Sequence, residues 1–168
     1  MHPLGRIPVM RHGDVMLFES KAICAYVDRA FDGPPLIPAD AISAALVEQW
    51  ISLINSAIDP VCVRQYLLAY FFPGTPDGAP DRARIEVSAP QMERQLEIFE
   101  SALVRSDFLV GSSFTLADAY LLPILFYLHK PSESAAVLRR SPGLSAFFER
   151  MMARESVRAR IPPPMNLG

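Results

Sequence analysis

The first eighteen residues carry apolar side chains on both faces of a ribbon. Ile7, Val9, Val15 and Leu17 interleave with Met10, Met16 and Phe18, in two runs, Ile7 to Arg11 and Asp14 to Phe18, separated by His12-Gly13. A two-residue gap containing glycine predicts a tight hairpin turn. Pro8 has no amide to give to a ladder, so the backbone there is expected at an edge or beside a cis bond. A ribbon apolar on both faces needs cover on both, and a lone hairpin is marginal in water. A helix over about residues 21–31 supplies one cover through Ile23, Val27, Ala30 and Phe31. Nothing upstream covers the other face, so the chain reads as starting in the middle of a fold.

Asp32-Gly33-Pro34-Pro35-Leu36-Ile37-Pro38 reads as a rigid connector that opens on a glycine helix stop. Everything beyond it has a helical period. One long segment spans about residues 40–72, with Leu46, Trp50, Leu53, Ile54 and Ile58 as its apolar row. Pro60 inside it removes a backbone donor and predicts a kink. Residues 73–80, rich in proline and glycine, form an exposed loop. A second segment over about residues 82–105 is periodic from Met92 through Leu96, Phe99 and Leu103. Thr115-Leu116-Ala117-Asp118 fits a capping box with Asp in place of Glu or Gln. The helix it opens, residues 116–128, is apolar nearly all round and is expected at the centre. Ser141-Pro142 reads as the N-cap and first turn of a helix running to Met152.

Composition narrows the class without deciding it. Of 168 residues, 51% are apolar and 20% charged, a globular balance rather than a disordered one. The net charge of −2 gives no long-range pull toward nucleic acid or an anionic membrane. The longest apolar stretch, Ala119 to Leu128, is broken by Pro123 and falls short of the ~18 residues a spanning helix needs. The N-terminus lacks the apolar core of a signal peptide. Cys24 and Cys62 form neither a CxxC pair nor a metal cluster. The expected location is cytoplasmic.

Five pieces in order resemble the glutathione S-transferases, most closely their phi class. His2-Pro3-Leu4-Gly5-Arg6-Ile7-Pro8-Val9 is similar to the family's Asn-Pro-x-Gly-x-Val-Pro segment. His12-Gly13-Asp14 with Leu17-Phe18-Glu19-Ser20-Lys21-Ala22-Ile23 resembles its Gly-Asp…Leu-x-Glu-Ser-x-Ala-Ile. Gln49-Trp50 with Ile58-Asp59-Pro60 resembles the first long helix of the phi class, and Phe108 to Gly111 with Phe114 to Asp118 the folding-core box of the superfamily. The implied fold is α+β and mostly α. A partial thioredoxin-like segment (β-hairpin plus helix, residues 1–32) is followed by a linker (33–40), an all-α C-terminal domain (41–161) and a tail (162–168). The family's opening βαβ unit takes roughly 30 residues or more, and only six residues precede the Ile7–Pro8 strand. The catalytic Ser, Tyr or Cys of the family lies in that unit, so no residue here is assigned as catalytic and none as a metal ligand.

The resemblance implies glutathione as a substrate, held by Arg6, Ile7, Pro8, Glu19 and Ser20. Glu19-Ser20 opens a helix where free amides and the dipole favour an anion; in the family this pair holds the γ-glutamyl end. Taken alone, Ser20 reads better as a helix N-cap, and the two roles are compatible. Ile7 precedes the position of the family's cis-proline, where the backbone pairs with the cysteinyl part like an added strand. Pro8 alone is also readable as a trans edge-strand proline. Arg6 occupies a position that contacts the peptide in the phi class. A small apolar electrophile as co-substrate and a homodimer are also implied, with no nucleic-acid or membrane partner. Without the activating residue, this chain is expected to be weakly active or inactive and its full-length form an ordinary transferase. The alternatives are a non-catalytic interaction module of the same fold and a relative that isomerises or dehalogenates with glutathione.

Other candidates have plainer readings. Cys24 and Cys62 fall in apolar helical stretches and read as buried, inert thiols. His12 in a turn and His129 at a helix end read as solvated, without partners. Tyr66, Tyr70 and Phe71 could line a co-substrate pocket but read better as helical core. Residues 139–160 hold six arginines against Glu149 and Glu155, with Arg150, Arg154 and Arg158 at a spacing that puts them on one solvated helix face.

Overall fold

A computed structural model describes residues 2–163; the last residues of the expected tail, 164–168, lie outside the described residues. Two strands, β1 (Val9–His12) and β2 (Val15–Phe18), form an antiparallel ribbon followed by α1 (Ser20–Ala30). The register pairs Val9 with Phe18 and His12 with Val15. The turn is therefore Gly13-Asp14, one residue later than the sequence reading places it. Gly13 takes φ 58° at the first central position, the sign a type II′ turn requires, so the glycine sets the register and His12 stays in the strand.

That register sorts the ribbon into two faces. Met10, His12, Val15 and Leu17 share the face toward α1, with Met10 and Leu17 half-buried. His12 is exposed, as read from the sequence, but it has partners: its Nδ1 lies 2.8 Å from the Tyr26 hydroxyl and its ring packs against Phe31. The opposite face presents Val9, Met16 and Phe18, each more than 40% exposed. The cover from α1 is narrower than its apolar row suggests, because Val27 and Phe31 remain exposed.

Helix α2 (Ala41–Leu53) continues without a break into a wide-turned stretch, Ile54–Leu67, and a final turn, α3 (Leu68–Phe71). In the wide stretch the backbone bonds reach i→i+5, as Leu68 N–H does to the Val63 carbonyl. Pro60 lacks a donor and its ring crowds the preceding turn, and a widened spiral relieves both problems without ending the helix. The buried row steps accordingly: Val47, Ile51, Ile54 and Ile58, then Cys62 and Tyr66. By length and composition the helix from Ala41 to Phe71 is apolar enough to cross a membrane, contrary to the reading from continuous apolar runs. Here it is the core helix of a bundle, and its row faces α4 and α5.

The remaining elements are α4 (Arg82–Leu103), α5 (Leu116–Leu128), α6 (Ser132–Arg139), α7 (Pro142–Ala153) and α8 (Glu155–Arg158). Pro90 sits inside α4 and does not end it, and α6, absent from the sequence reading, follows Pro131. Asp118 is fully buried at the start of α5. Its carboxylate accepts the Thr115 amide at 2.7 Å, the Thr115 hydroxyl at 2.8 Å and the Leu109 amide at 2.9 Å. Burial raises its pKa, against the three donors that favour the charged form. At α7, Ser141 turns its hydroxyl back to the Val137 carbonyl, and Glu100 of α4 caps Gly143 and Leu144 at 3.0 and 2.8 Å instead. Arg154 ends α7 in extended backbone (φ −68°, ψ 134°), so Arg150, Arg154 and Arg158 do not share one helix face. His129 is also partnered, bonded to the Leu125 carbonyl and stacked on Phe148.

Helices α4 and α7 touch at Gly143, where a Cβ would lie 2.5 Å from the Val104 nitrogen. The obstacle is backbone and cannot rotate away. Gly143→Ala is expected to lower stability by about 1–3 kcal/mol, read as an earlier urea midpoint at unchanged slope. A second test concerns Glu133, whose pKa falls from 4.5 to about 2, first because the Tyr70 hydroxyl donates to it and then through Ser132 and Arg82. Its folded pKa is depressed, so its contribution is complete above pH 4.5 and disappears as the pH falls toward 2. Melting temperatures of the wild type and Glu133→Gln should differ at neutral pH and converge over that interval.

Candidate functional site

The linker positions the ribbon and α1 on the helical bundle. Asp28, near the end of α1, accepts the Leu36 amide at 2.6 Å and the Ile37 amide at 3.2 Å. The Leu36 carbonyl in turn accepts the Leu116 amide at the start of α5, at 2.9 Å. An ion pair between Lys21 and Glu48 joins α1 to α2. Helix α1 is thereby held at both ends against the elements it serves.

Because Val9 lies opposite Phe18, the register puts Ile7-Pro8 and Glu19-Ser20 at the same end of the ribbon. The Ile7–Pro8 bond is cis, which removes the trans edge-strand alternative. Ile7 is 92% exposed and, among the described residues, its amide and carbonyl join no backbone bond outside the regular elements. An extended ligand backbone could add there as a strand does. Gly5, Arg6 and Ile7 form one wall of an open groove, and Asp59 and Arg64 of the wide-turned stretch form the other. Asp59 and Arg64 pair at 3.0 Å, and the exposed Arg6 adds a further positive charge to this groove.

Glu19 has φ 68° and ψ 120°, a backbone state L-residues rarely adopt and one that costs on the order of 1–3 kcal/mol. It occupies the N-cap position, and its side chain makes no cap bond; Ser20 is the first helical residue rather than the cap. The N-cap reading of Ser20 is thus corrected. The Glu19 carbonyl accepts from Ile23, which leaves the amides of the first turn of α1 without intrahelical partners. The Ser20 hydroxyl lies 3.3 Å from the Tyr120 hydroxyl of α5, and a carboxylate of Glu19 lies 3.4 Å from Nε2 of His2. This end of α1 therefore combines free donors, a hydroxyl and a dipole that favour an anion, with an acid beside them that suits an ammonium.

Tyr120, His2, Asp59 and Arg64 meet the candidate residues and were not singled out by the sequence. Tyr120 sits in an apolar helix and reads as core, and its contact with Ser20 spans a hundred positions. Cys62 is buried, with its thiol pushed up to about 12 by burial and then by Asp59, so it is not a thiolate. Cys24 is half-buried on α1. Tyr66 is core and accepts the Ser134 amide, whereas Tyr70 faces Glu133 and Arg82.

The strained backbone at Glu19 yields a prediction. Glycine adopts that conformation freely, so Glu19→Gly should keep or raise the melting temperature while weakening binding of an ammonium-bearing peptide.

Known proteins resemble this chain over nearly its whole length. The family profile "Glutathione S-transferase, C-terminal domain" matches residues 62–155, and "Glutathione S-transferase, N-terminal domain" matches residues 1–29. Glutathione S-transferase 3 of Zea mays is 35% identical, over 98% of this chain and 76% of its own length. The crystal structure of glutathione transferase F7 from Populus trichocarpa superposes with a TM-score of 0.84 at 27% identity, covering 94% of this chain and 75% of that one. Glutathione S-transferase I from mais, in complex with an atrazine glutathione conjugate, superposes with a TM-score of 0.83 at 27% identity, covering 94% and 73%. On its matched profiles and its relatives, which are plant phi-class members, this chain belongs to the glutathione S-transferase family.

Proposed function

We propose that the ribbon end binds glutathione as a substrate, with the γ-glutamyl and cysteinyl parts held by different chemistries. The Ser20 hydroxyl and the free amides of α1 take the γ-glutamyl carboxylate, and Glu19 lies near its ammonium. The exposed backbone of Ile7, set by cis Pro8, pairs with the cysteinyl part, and Arg6 flanks it in the groove. The observation that supports this reading is the register, which brings the start of α1, with its free amides, and the exposed Ile7 to the same end of the ribbon. The glutathione conjugate bound by the maize relative supports the same ligand class.

In the full-length form we assign conjugation of the glutathione thiolate to small apolar electrophiles. A hydroxyl donating to the sulfur would lower its pKa, because hydrogen bonding to a charged form favours that form. No residue among 2–163 is assigned that role, so this chain on its own is expected to be weakly active or inactive. The proposed organisation keeps residues 1–32 as the glutathione-binding segment, 33–40 as linker and 41–161 as the helical domain, in a cytoplasmic homodimer. A non-catalytic interaction module is the second reading, favoured by the exposed apolar face of Val9, Met16 and Phe18.

The test measures binding and turnover separately. Calorimetry should show weak glutathione binding that falls about tenfold in Ser20→Ala. Conjugation of 1-chloro-2,4-dinitrobenzene should stay near the uncatalysed rate. Absence of any glutathione binding would turn the assignment to the interaction module, and ordinary turnover would refute the inactivity of this chain.

A further inference from the structure

Tyr120 of α5 makes a contact at the ribbon end that the proposed binding does not use. It is half-buried, and its hydroxyl donates to the Ser20 oxygen at 3.3 Å. Among the described residues, the Ser20 hydroxyl donates to no partner. A serine near a helix start commonly turns its proton onto local backbone. Here its oxygen already accepts a bond, which leaves the Ser20 proton for a group outside the helix.

The surroundings keep Tyr120 in that role. Burial raises its pKa, Cys24 and Glu48 raise it further, and the bond to Ser20 acts the other way. The phenol therefore stays a neutral donor near neutral pH. Cys24, one turn along α1 from Ser20, is half-buried and faces the same hydroxyl. Lys21, the cation beside Ser20 in sequence, is paired with Glu48. At the first turn of α1 the donors are thus neutral, free amides and one hydroxyl, and their strength depends on direction. A hydroxyl that accepts one bond donates a stronger one, so the Tyr120–Ser20 pair polarises toward an anion.

We infer that Tyr120 is a positioning residue: by donating to the Ser20 oxygen it aims the serine proton at the γ-glutamyl carboxylate and gives that subsite its preference for the charged acid. This inference rests on glutathione binding at the ribbon end. Tyr120 acts through Ser20 rather than on the tripeptide, so the helical domain takes part in recognition without lining the subsite.

Calorimetry on the full chain compares S-methylglutathione with the analogue whose γ-glutamyl carboxylate is a carboxamide. Tyr120→Phe keeps the ring and removes the donor. It should weaken the acid about threefold to tenfold and the amide by less than about twofold, at an unchanged melting temperature. Added to Ser20→Ala it should cost nothing more, because the bond it removes is already gone. Cys24→Ala, which alters the other neighbour of the phenol and spares the donor, should leave both affinities in place. Equal weakening of acid and amide by Tyr120→Phe would overturn the inference, since that is the mark of a packing role. So would additive losses in the double variant, an unaltered acid affinity in Tyr120→Phe, or an equal loss in Cys24→Ala. A wild-type chain that binds neither ligand would remove the glutathione reading itself, and this inference with it.

Discussion

The buried carboxylate of Asp118 is where the bundle and the ribbon become one structure. A lone charge in that position would cost several kcal/mol. Three donors within 2.9 Å, two from Thr115 and one from Leu109, make it tolerable and fix the first turn of α5 in direction. With that turn fixed, the Leu116 amide holds the Leu36 carbonyl, and the linker it belongs to is gripped by Asp28 of α1. The same helix carries Tyr120 to Ser20. A line of hydrogen bonds thus runs from the centre of the bundle to the residues proposed to hold ligand, and each step fixes the orientation of the next.

The helical domain shows how a residue hostile to helices is absorbed. Pro60 would break an α-spiral, and the chain answers by widening it, with Gln95 of α4 donating to the Ala57 carbonyl at 3.0 Å just before the proline. The wide turn also carries Asp59 and Arg64 to the groove opposite Arg6. A packing accommodation and a site wall are therefore the same stretch of backbone. Gly143 plays a comparable part between α4 and α7, where only a missing side chain allows the backbones to meet.

Two concavities of the molecule differ in what lines them. The ribbon end offers backbone groups, a helix start and side chains of both signs, which fits a short charged peptide. The groove between α5 and the segment that follows α7 offers apolar and aromatic walls, with Arg160 as its one charged lining residue among the described residues. They share the scaffold of α5, the first through Tyr120 and the second through Leu122 and Phe126, so neither can be repacked without consequence for the other.

Local signals were legible wherever a few neighbouring residues decide the conformation. The Thr115–Asp118 box, the proline-rich linker, the helix over residues 116–128 and the glycine turn depend on short-range sterics and capping, and all stand close to where the pattern puts them. The partners of His12, which are Tyr26 and Phe31, and the Phe148 ring stacked on His129 lie in other segments, and contacts of that kind are encoded by no local pattern. The sequence by itself determined the elements other than α6 and the closing turn α8, their order and the family, because periodicity and caps are properties of single segments. Only the tertiary structure decided that Ile7-Pro8 and Glu19-Ser20 meet at one ribbon end, that Pro60 widens rather than ends its helix, and that Arg154 stacks on the Phe114 ring. Those outcomes are set by register, packing and charge pairing across the whole molecule.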